Sequence, residues 1–333
     1  MNQSARRPVY YLQMMKIDRF FFPTTSAILF LAATFPPSAP AQAPPAATFK
    51  SETHLVNFTF SVRRPDGTLA NGLARDDFQV TEDGVPQTIS FFGKESDLPL
   101  TLGLIVDASD SQSHFFKRHR QDIEKFLKSI LHPGDKVFTV SFGNHLRLTN
   151  DLDSTPAAVL DGLERFDKGE RKFPELGPEE SRDGGTALFD AVYYGVGERL
   201  AQAQGRRALI LFTDGEENSS AHDLLDAIDA ARESDTLIYA IRYTDHKEIK
   251  TPHARQGVAA LHHLALATGG SDYDALHDNL GEVFQQIADE LRSLYSIAYH
   301  STNRKPDSTF RRVRIATTDS SLVVHARTGY YAR

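Results

Sequence analysis

Leu100-Thr101-Leu102-Gly103-Leu104-Ile105-Val106 is the stretch that most constrains what this chain can fold into. It is short, almost wholly apolar, and runs straight into Asp107. A run of that length without a polar face suits a strand of a parallel sheet, covered on both sides. It has companions. Asp135–Phe142, Ala208–Phe212 and Thr236–Ile241 read as further strands. Between and after them lie segments whose apolar residues recur at helical spacing. Phe115–Leu131 carries Ile123, Phe126, Leu127 and Ile130 and is stopped by Pro133-Gly134. Thr186–Leu200, Leu224–Ala231 and Val258–Ala267 follow, the last closed by Gly269-Gly270. Leu280, Val283, Phe284, Ile287, Leu291 and Leu294 form one face of a final helix. Repeated strand–helix units imply an α/β fold, a doubly wound, mostly parallel sheet with helices on both faces.

The flanks read differently. Val56, Phe58, Phe60 and Val62 alternate on one face of a strand, and Pro65-Asp66-Gly67 marks a turn. Phe78–Glu82 is a second strand, Asp83-Gly84 a tight hairpin turn, and Gln87–Phe92 a third strand. After Leu294 the chain returns to strands at Tyr295–Tyr299, Phe310–Ile315 and Leu322–Ala326. In Phe310–Ile315, Arg311, Val313 and Ile315 share one face. Each flank is too small to bury a core alone. The expectation is one small β domain built from both, interrupted by the α/β domain. A separate C-terminal hairpin packed on the α/β domain is the alternative.

Composition narrows the functional classes. The chain has 333 residues, 40% hydrophobic and 24% charged, which excludes a disordered chain or a polytopic membrane protein. Cysteine is absent. That excludes disulfides, thiolate metal sites, a thiol nucleophile and a lipidated N-terminus. The net charge of -7, from 37 basic and 44 acidic residues, argues against a nucleic-acid partner.

The start of the chain is a separate object. Arg6, Arg7, Lys16 and Arg19 precede the apolar run Ala27–Ala33, and a Pro/Ala-rich stretch follows from Pro36 to Ala47. Basic start, short apolar middle and small residues read as a secretory signal peptide over residues 1–41, cleaved after Ala39-Pro40-Ala41 to leave Gln42. Cleavage after Ala41-Gln42-Ala43 would leave Pro44, which hinders cleavage. An uncleaved anchor and a true start at Met15 are the other readings. The expected organisation is signal 1–41, linker 42–47, β segment 48–98, α/β domain 99–294 and β segment 295–333, in a protein exported to the periplasm or beyond.

The chemistry gathers at strand ends. The first buried strand closes on Asp107-Ala108-Ser109-Asp110-Ser111. Gly184-Gly185-Thr186 brings backbone close and opens a helix with a hydroxyl, and Thr213-Asp214-Gly215 ends another buried strand. In open α/β sheets the carboxyl ends of strands are where ligands bind. Two carboxylates and several hydroxyls are oxygen donors, which suit hard divalent cations such as Mg²⁺. With few anionic ligands bound directly, such an ion stays electrophilic enough to accept an outside carboxylate.

In these residues the chain resembles von Willebrand factor A (VWA) domains. Asp107, Ser109, Ser111, Thr186 and Asp214 match that family's metal-ion-dependent adhesion site, in order and on the expected elements, and the resemblance covers about residues 99–294. The flanks resemble a secreted group described as VWFA-related acidobacterial proteins. There the resemblance rests on Gly72-Leu73, Asp77-Phe78, Val80, Glu82-Asp83-Gly84 and Gln87, and on Arg327 with Gly329-Tyr330-Tyr331-Ala332. The resemblance implies a Rossmann-like VWA domain binding Mg²⁺ or Mn²⁺. Ser109 and Ser111 would bind through their hydroxyls, Thr186 directly or through water, and Asp107 and Asp214 largely through bridging waters. A partner protein's Asp or Glu would take the sixth position.

Other constellations are weaker. Asp107 with Ser109, where a haloacid dehalogenase-type phosphotransferase needs a second aspartate, removes that reading. Gly195-Val196-Gly197 lies inside a helix pattern and lacks a third glycine. His262-His263 are adjacent and do not share a helix face. Asp167–Asp183 reads as a solvated, mixed-charge loop or as a specificity loop, and Glu216 and Glu217 as surface acids or as charges that repel wrong ligands. No residues support an enzyme. Two readings remain: an exported binding protein that captures a carboxylate through metal, and an envelope scaffold or assembly subunit in which the fold is structural.

Overall fold

A computed structural model describes residues 55–95, 98–178, 184–245 and 250–332. The expected signal peptide and linker lie outside the described residues. The chain begins with β1 (Leu55–Arg63), β2 (Phe78–Glu82), β3 (Val85–Gln87) and β4 (Ile89–Glu95). The α/β part runs β5 (Leu100–Asp107), α1 (Phe116–Ile130), β6 (Lys136–Phe142), β7 (Leu146–Asp153) and α2 (Pro156–Asp167). It continues with α3 (Leu188–Tyr194), extended by a wider turn over Gly195–Leu200, then β8 (Arg206–Thr213) and α4 (Leu224–Glu233). It closes with β9 (Thr236–Arg242), α5 (Pro252–Thr268), β10 (Asp272–Asp274) and α6 (Leu280–Arg292). The chain ends in β11 (Leu294–His300), β12 (Phe310–Thr317), β13 (Val323–Ala326) and β14 (Gly329–Tyr331).

Six strands form the central sheet in the order β10-β9-β8-β5-β6-β7, all parallel except the edge strand β7. Every residue of β5 is buried, as its apolar sequence requires. Leu102, Leu104 and Val106 meet Ile123 and Phe126 of α1 and Phe284 and Ile287 of α6 on one face. Ile105 joins Leu188 and Val192 of α3 and Leu261 and Leu264 of α5 on the other. Gly103 is needed between them, because a Cβ there would lie 2.4 Å from Leu209 and 2.5 Å from Phe138. The chain leaves β5 toward β6 on one side and returns to β8 on the other. The order therefore reverses at the carboxyl ends of β5 and β8, where a crevice forms.

The flanking segments pair with each other. β1 lies antiparallel between β11 and β13, with β4 on the far side of β11, and β2 lies between β12 and β3, with β14 beyond β12. The two four-stranded sheets share a core of Val56, Phe58, Phe60 and Val62 with Phe78, Val80, Tyr295, Ile297, Val313 and Ile315. So Val56, Phe58, Phe60 and Val62 do share the buried face, and the separate-hairpin alternative does not hold. Arg311 is buried on the inner face as the alternation implied, where it pairs with buried Glu82 at 3.3 Å. Tyr299, Tyr330 and Ser301 also donate their hydroxyls to Glu82. Buried Glu290 of α6 accepts hydrogen bonds from Ser61 and Arg63 of β1, which ties the α/β part to the sandwich.

Some element assignments change. The stretch Gln87–Phe92 is two strands, because the chain crosses from one sheet to the other at Thr88. Leu294 opens β11 and is not part of the last helix, which stops at Arg292. α5 starts at Pro252, capped by the Thr251 hydroxyl, six residues before its apolar spacing becomes visible. Neither β7 nor α2 was expected. Among the described residues no helix is long and apolar enough to cross a membrane.

Candidate metal centre

Parallel registration puts the ends of β5 and β8 side by side. Val106 pairs with Phe212, so Asp107 and Thr213 are the next neighbours across the ladder. The Thr213 hydroxyl donates to Asp107 Oδ2. On its other oxygen, Asp107 accepts the Ser109 N–H at 2.9 Å and the Ser109 hydroxyl at 2.6 Å. Ser109 Oγ lies 3.1 Å from Ser111 Oγ, and Ser111 donates to Asp214 Oδ2 at 2.9 Å. Gln112 Nε2 donates to the same Asp214 oxygen at 2.7 Å and to the Tyr243 carbonyl at 3.2 Å. Asp107, Ser109, Ser111 and Asp214 thus lie in one row between two strand ends, each serine hydroxyl donating to its own carboxylate and the two hydroxyl oxygens in contact.

Thr186 is held in place by its backbone. Its N–H donates to Asn218 Oδ1 at 2.8 Å, and its carbonyl accepts the Asn218 N–H at 3.1 Å. The Ala187 N–H donates to the Gly143 carbonyl at 3.0 Å, and Gly143 packs against Ala108. Among the described residues, the Thr186 hydroxyl donates to none of the other four residues of the cluster. Asn218 follows Asp214 by four residues, so one loop holds both segments.

The electrostatics favour a cation. Asp107 is fully buried and Asp214 only 3% exposed. Burial first, and the neighbouring Asp214 carboxylate second, hold the Asp107 carboxyl well above the usual carboxylate range, against the pull of the Ser109 and Thr213 hydrogen bonds. Two acids this close resist ionising together, and a bound divalent ion would offset that penalty. Among the described residues there is no group of three or more His, Cys, Asp or Glu side chains able to hold a metal. Hydroxyls would therefore have to supply the remaining donors, and those of Ser109 and Ser111 already touch the two carboxylates. The all-oxygen set fits Mg²⁺ or Mn²⁺ by donor chemistry.

A family model described as the von Willebrand factor type A domain matches residues 102–252. This region is a VWA domain. Solved structures to which the chain is similar include an aerotolerance-related membrane protein from Bacteroides fragilis, 16% identical, covering 58% of this chain and 98% of that one at a TM-score of 0.42. Proximal thread matrix protein 1 from the mussel byssus, with a zinc-occupied MIDAS motif, is 15% identical over 62% of this chain and 49% of that one, with a TM-score of 0.45. A von Willebrand factor type A protein from Catenulispora acidiphila is 13% identical over 85% and 74%, with a TM-score of 0.43. No curated protein matches the chain by sequence.

Several residues of the VWA domain act differently from their sequence reading. Glu217 is a clamp, with its Oε1 accepting the N–H groups of Ser219 and Ser220 and its Oε2 that of Phe189. These bonds tie the side chain to the loop, so it is not a loose surface acid. Buried Asp190 likewise accepts the N–H groups of Ala221 and His222. The mixed-charge loop is pinned where Phe173 and Leu176 are buried and Glu175 meets His145 at 3.0 Å and Arg147 at 3.1 Å. Its residues 179–183 lie outside the described residues. His262 is exposed and bonded to Asp272 at 2.8 Å. Gln112, Thr213 and Asn218 were missed as supports, and only their position next to cluster residues hinted at them.

Proposed function

We propose that this is an exported binding protein whose VWA domain captures an Asp or Glu carboxylate of a protein partner through a divalent ion, Mg²⁺ or Mn²⁺. Asp107, Ser109, Ser111, Thr186 and Asp214 would hold the ion. The observation that carries the reading is the cluster itself, two buried carboxylates that each accept a serine hydroxyl, the two hydroxyl oxygens lying 3.1 Å apart, at a sheet switch point. A bound ion would supply the positive charge that receives the partner's carboxylate. Asp107 and Asp214 bring the negative charge, while Thr213, Gln112 and Asn218 fix donor directions. The neutral serines leave the site less than fully compensated, and a partly buried setting strengthens the attraction. The carboxylates of the cluster are already engaged by hydroxyl and amide donors, which suits binding and not turnover. The charged leader and apolar run before residue 42 support export.

The test is a pair of thermal melts, with excess Mg²⁺ and with chelator. A bound ion raises the melting temperature by mass action, and Asp107→Ala should abolish the difference. Identical melts of the unaltered protein would sink the metal reading and leave an envelope scaffold in which the VWA fold is structural.

A further inference from the structure

Beside the cluster lies a cavity that the metal reading does not use. The backbone of Gly215, next to Asp214, runs so close to α5 that a Cβ on Gly257 would lie 2.8 Å from it. Beyond that contact the loop after β8 and the exposed side of α5 diverge around a cavity of about 690 Å³. Phe189, Leu224, Ala259 and Ala260 line it, with Glu216 and Asp223 on its loop wall. Among the described residues no lysine or arginine lines it, and His253 and His263 stand on its α5 side. Its volume falls in the range of ligand-binding clefts, and its lining combines an apolar floor with a polar rim.

We propose that this cavity receives a large apolar side chain of the partner segment whose carboxylate reaches the metal. The inference rests on the function proposed above. Two features select that occupant. Three acids on the loop wall, Glu216, Glu217 and Asp223, faced by two histidines and, among the described residues, by no lysine or arginine, disfavour a second acidic side chain. Phe189 and Leu224 offer apolar area that a neutral, bulky group would cover. The place on the partner follows from continuity. Gly215 and Glu216 line the cavity and follow Asp214 directly, and Asn218 holds Thr186, so one loop borders both sites. An extended peptide advances ~3.3 Å per residue, so the proposal places the apolar residue at a near neighbour of the acid, within two positions.

A random heptapeptide library selected on the full chain, in Mg²⁺ and in chelator, tests this. The expected result is Mg²⁺-dependent enrichment of peptides that carry Asp or Glu with Phe, Leu, Ile or Trp within two positions. Replacing that apolar residue by Ala in a synthetic peptide should weaken binding roughly tenfold or more. Ala259→Trp, which fills the cavity from an exposed position, should abolish the apolar preference while Mg²⁺ still raises the melting temperature. Gln256→Trp on the same helix serves if Ala259→Trp does not fold. Acid enrichment in Mg²⁺ without an apolar neighbour, or an apolar preference unchanged in both tryptophan variants, overturns this inference and leaves the metal reading standing. Enrichment that ignores the metal, or none at all, overturns both.

Discussion

Asn218 Oδ1 accepts the backbone N–H of Thr186 at 2.8 Å, while the Asn218 N–H returns a bond to the Thr186 carbonyl at 3.1 Å. The two residues lie on different segments, and the pair fixes where the Thr186 side chain starts. Gly185 is packed so tightly against Asn218 that a Cβ there would lie 2.4 Å from Oδ1, at a backbone φ of +85 to +93 across the glycine pair. Asn218 therefore positions Thr186 without being one of the proposed ligands.

Asn218→Ala should leave the fold intact and weaken Mn²⁺ binding about 10–100-fold, the usual loss when a supporting partner of a metal ligand is removed. Titration calorimetry with Mn²⁺ measures it. Affinity equal to that of the unaltered protein would show that Thr186 is held by Gly143 and α3 alone.

The Glu82–Arg311 pair yields a stability prediction. Both side chains are almost fully buried between the two small sheets. Removing one partner leaves an uncompensated buried charge, at a cost of about 3–5 kcal/mol. Arg311→Met should therefore lower the urea midpoint strongly, even though Tyr299, Tyr330 and Ser301 still donate to Glu82. Adding Glu82→Gln should recover part of the loss, and a double-mutant cycle reports the coupling. A cycle with no coupling would mean that the hydroxyls alone hold Glu82.

How much of this was legible follows from where the information sits in the chain. Asp107, Ser109 and Ser111 are consecutive alternate residues at the end of an apolar strand, so local pattern exposes them. Asp214 was readable for the same reason, at the end of β8, whereas Thr186 was named at a helix start and makes no hydrogen bond to the other four among the described residues. Gln112, Thr213, Asn218 and Glu217 act through hydrogen bonds to residues far off in sequence, and nothing local marks those partners. The edge strand β7 escaped because its last residues are exposed and polar, so its pattern is neither alternating nor continuous. Helix α2 escaped because only Val159, Gly162 and Leu163 are buried on it. Gly162 in turn lets the helix approach β7, where a Cβ would lie 2.1 Å from the Thr149 carbonyl oxygen. The sandwich was legible as strands, and its pairing was forced because neither flank could bury its apolar face alone.

His119 gives the chain an acid-sensitive weak point. Its ring is buried among Phe115, Phe212 and Tyr243, and neither nitrogen has a hydrogen-bond partner among the described residues. Burial first, then the charges of His114 and Arg118, push its pKa down to about 3 from 6.5. The folded state therefore keeps it neutral while the unfolded chain takes up a proton below pH ~6.5. Its contribution to stability is complete above that pH and is lost as pH falls toward ~3, by about 1.4 kcal/mol per unit. His119→Phe keeps the ring contacts and removes the proton site. Urea unfolding at pH 7 and pH 5 should show the unaltered protein losing about 2 kcal/mol more than the variant. Equal losses would place the acid sensitivity elsewhere.

The contact between Gly215 and Gly257 yields the last prediction. A Cβ at Gly257 would lie 2.8 Å from the Gly215 backbone and 3.1 Å from the Asp214 carbonyl oxygen. Backbone cannot step aside as a flexible side chain can. Gly257→Ala must therefore push α5 away from the segment that carries Asp214, at a cost of about 1–3 kcal/mol for overpacking. Because Asp214 is bonded to Ser111 and Gln112, the shift should also reduce the rise in melting temperature that Mg²⁺ produces. Gly197→Ala is the control. It lies in a helical segment with nothing within 4 Å of an added Cβ, so it should be neutral or stabilise by up to about 1 kcal/mol. If Gly257→Ala behaves as Gly197→Ala does in both melts, the close approach of α5 does not set the position of Asp214.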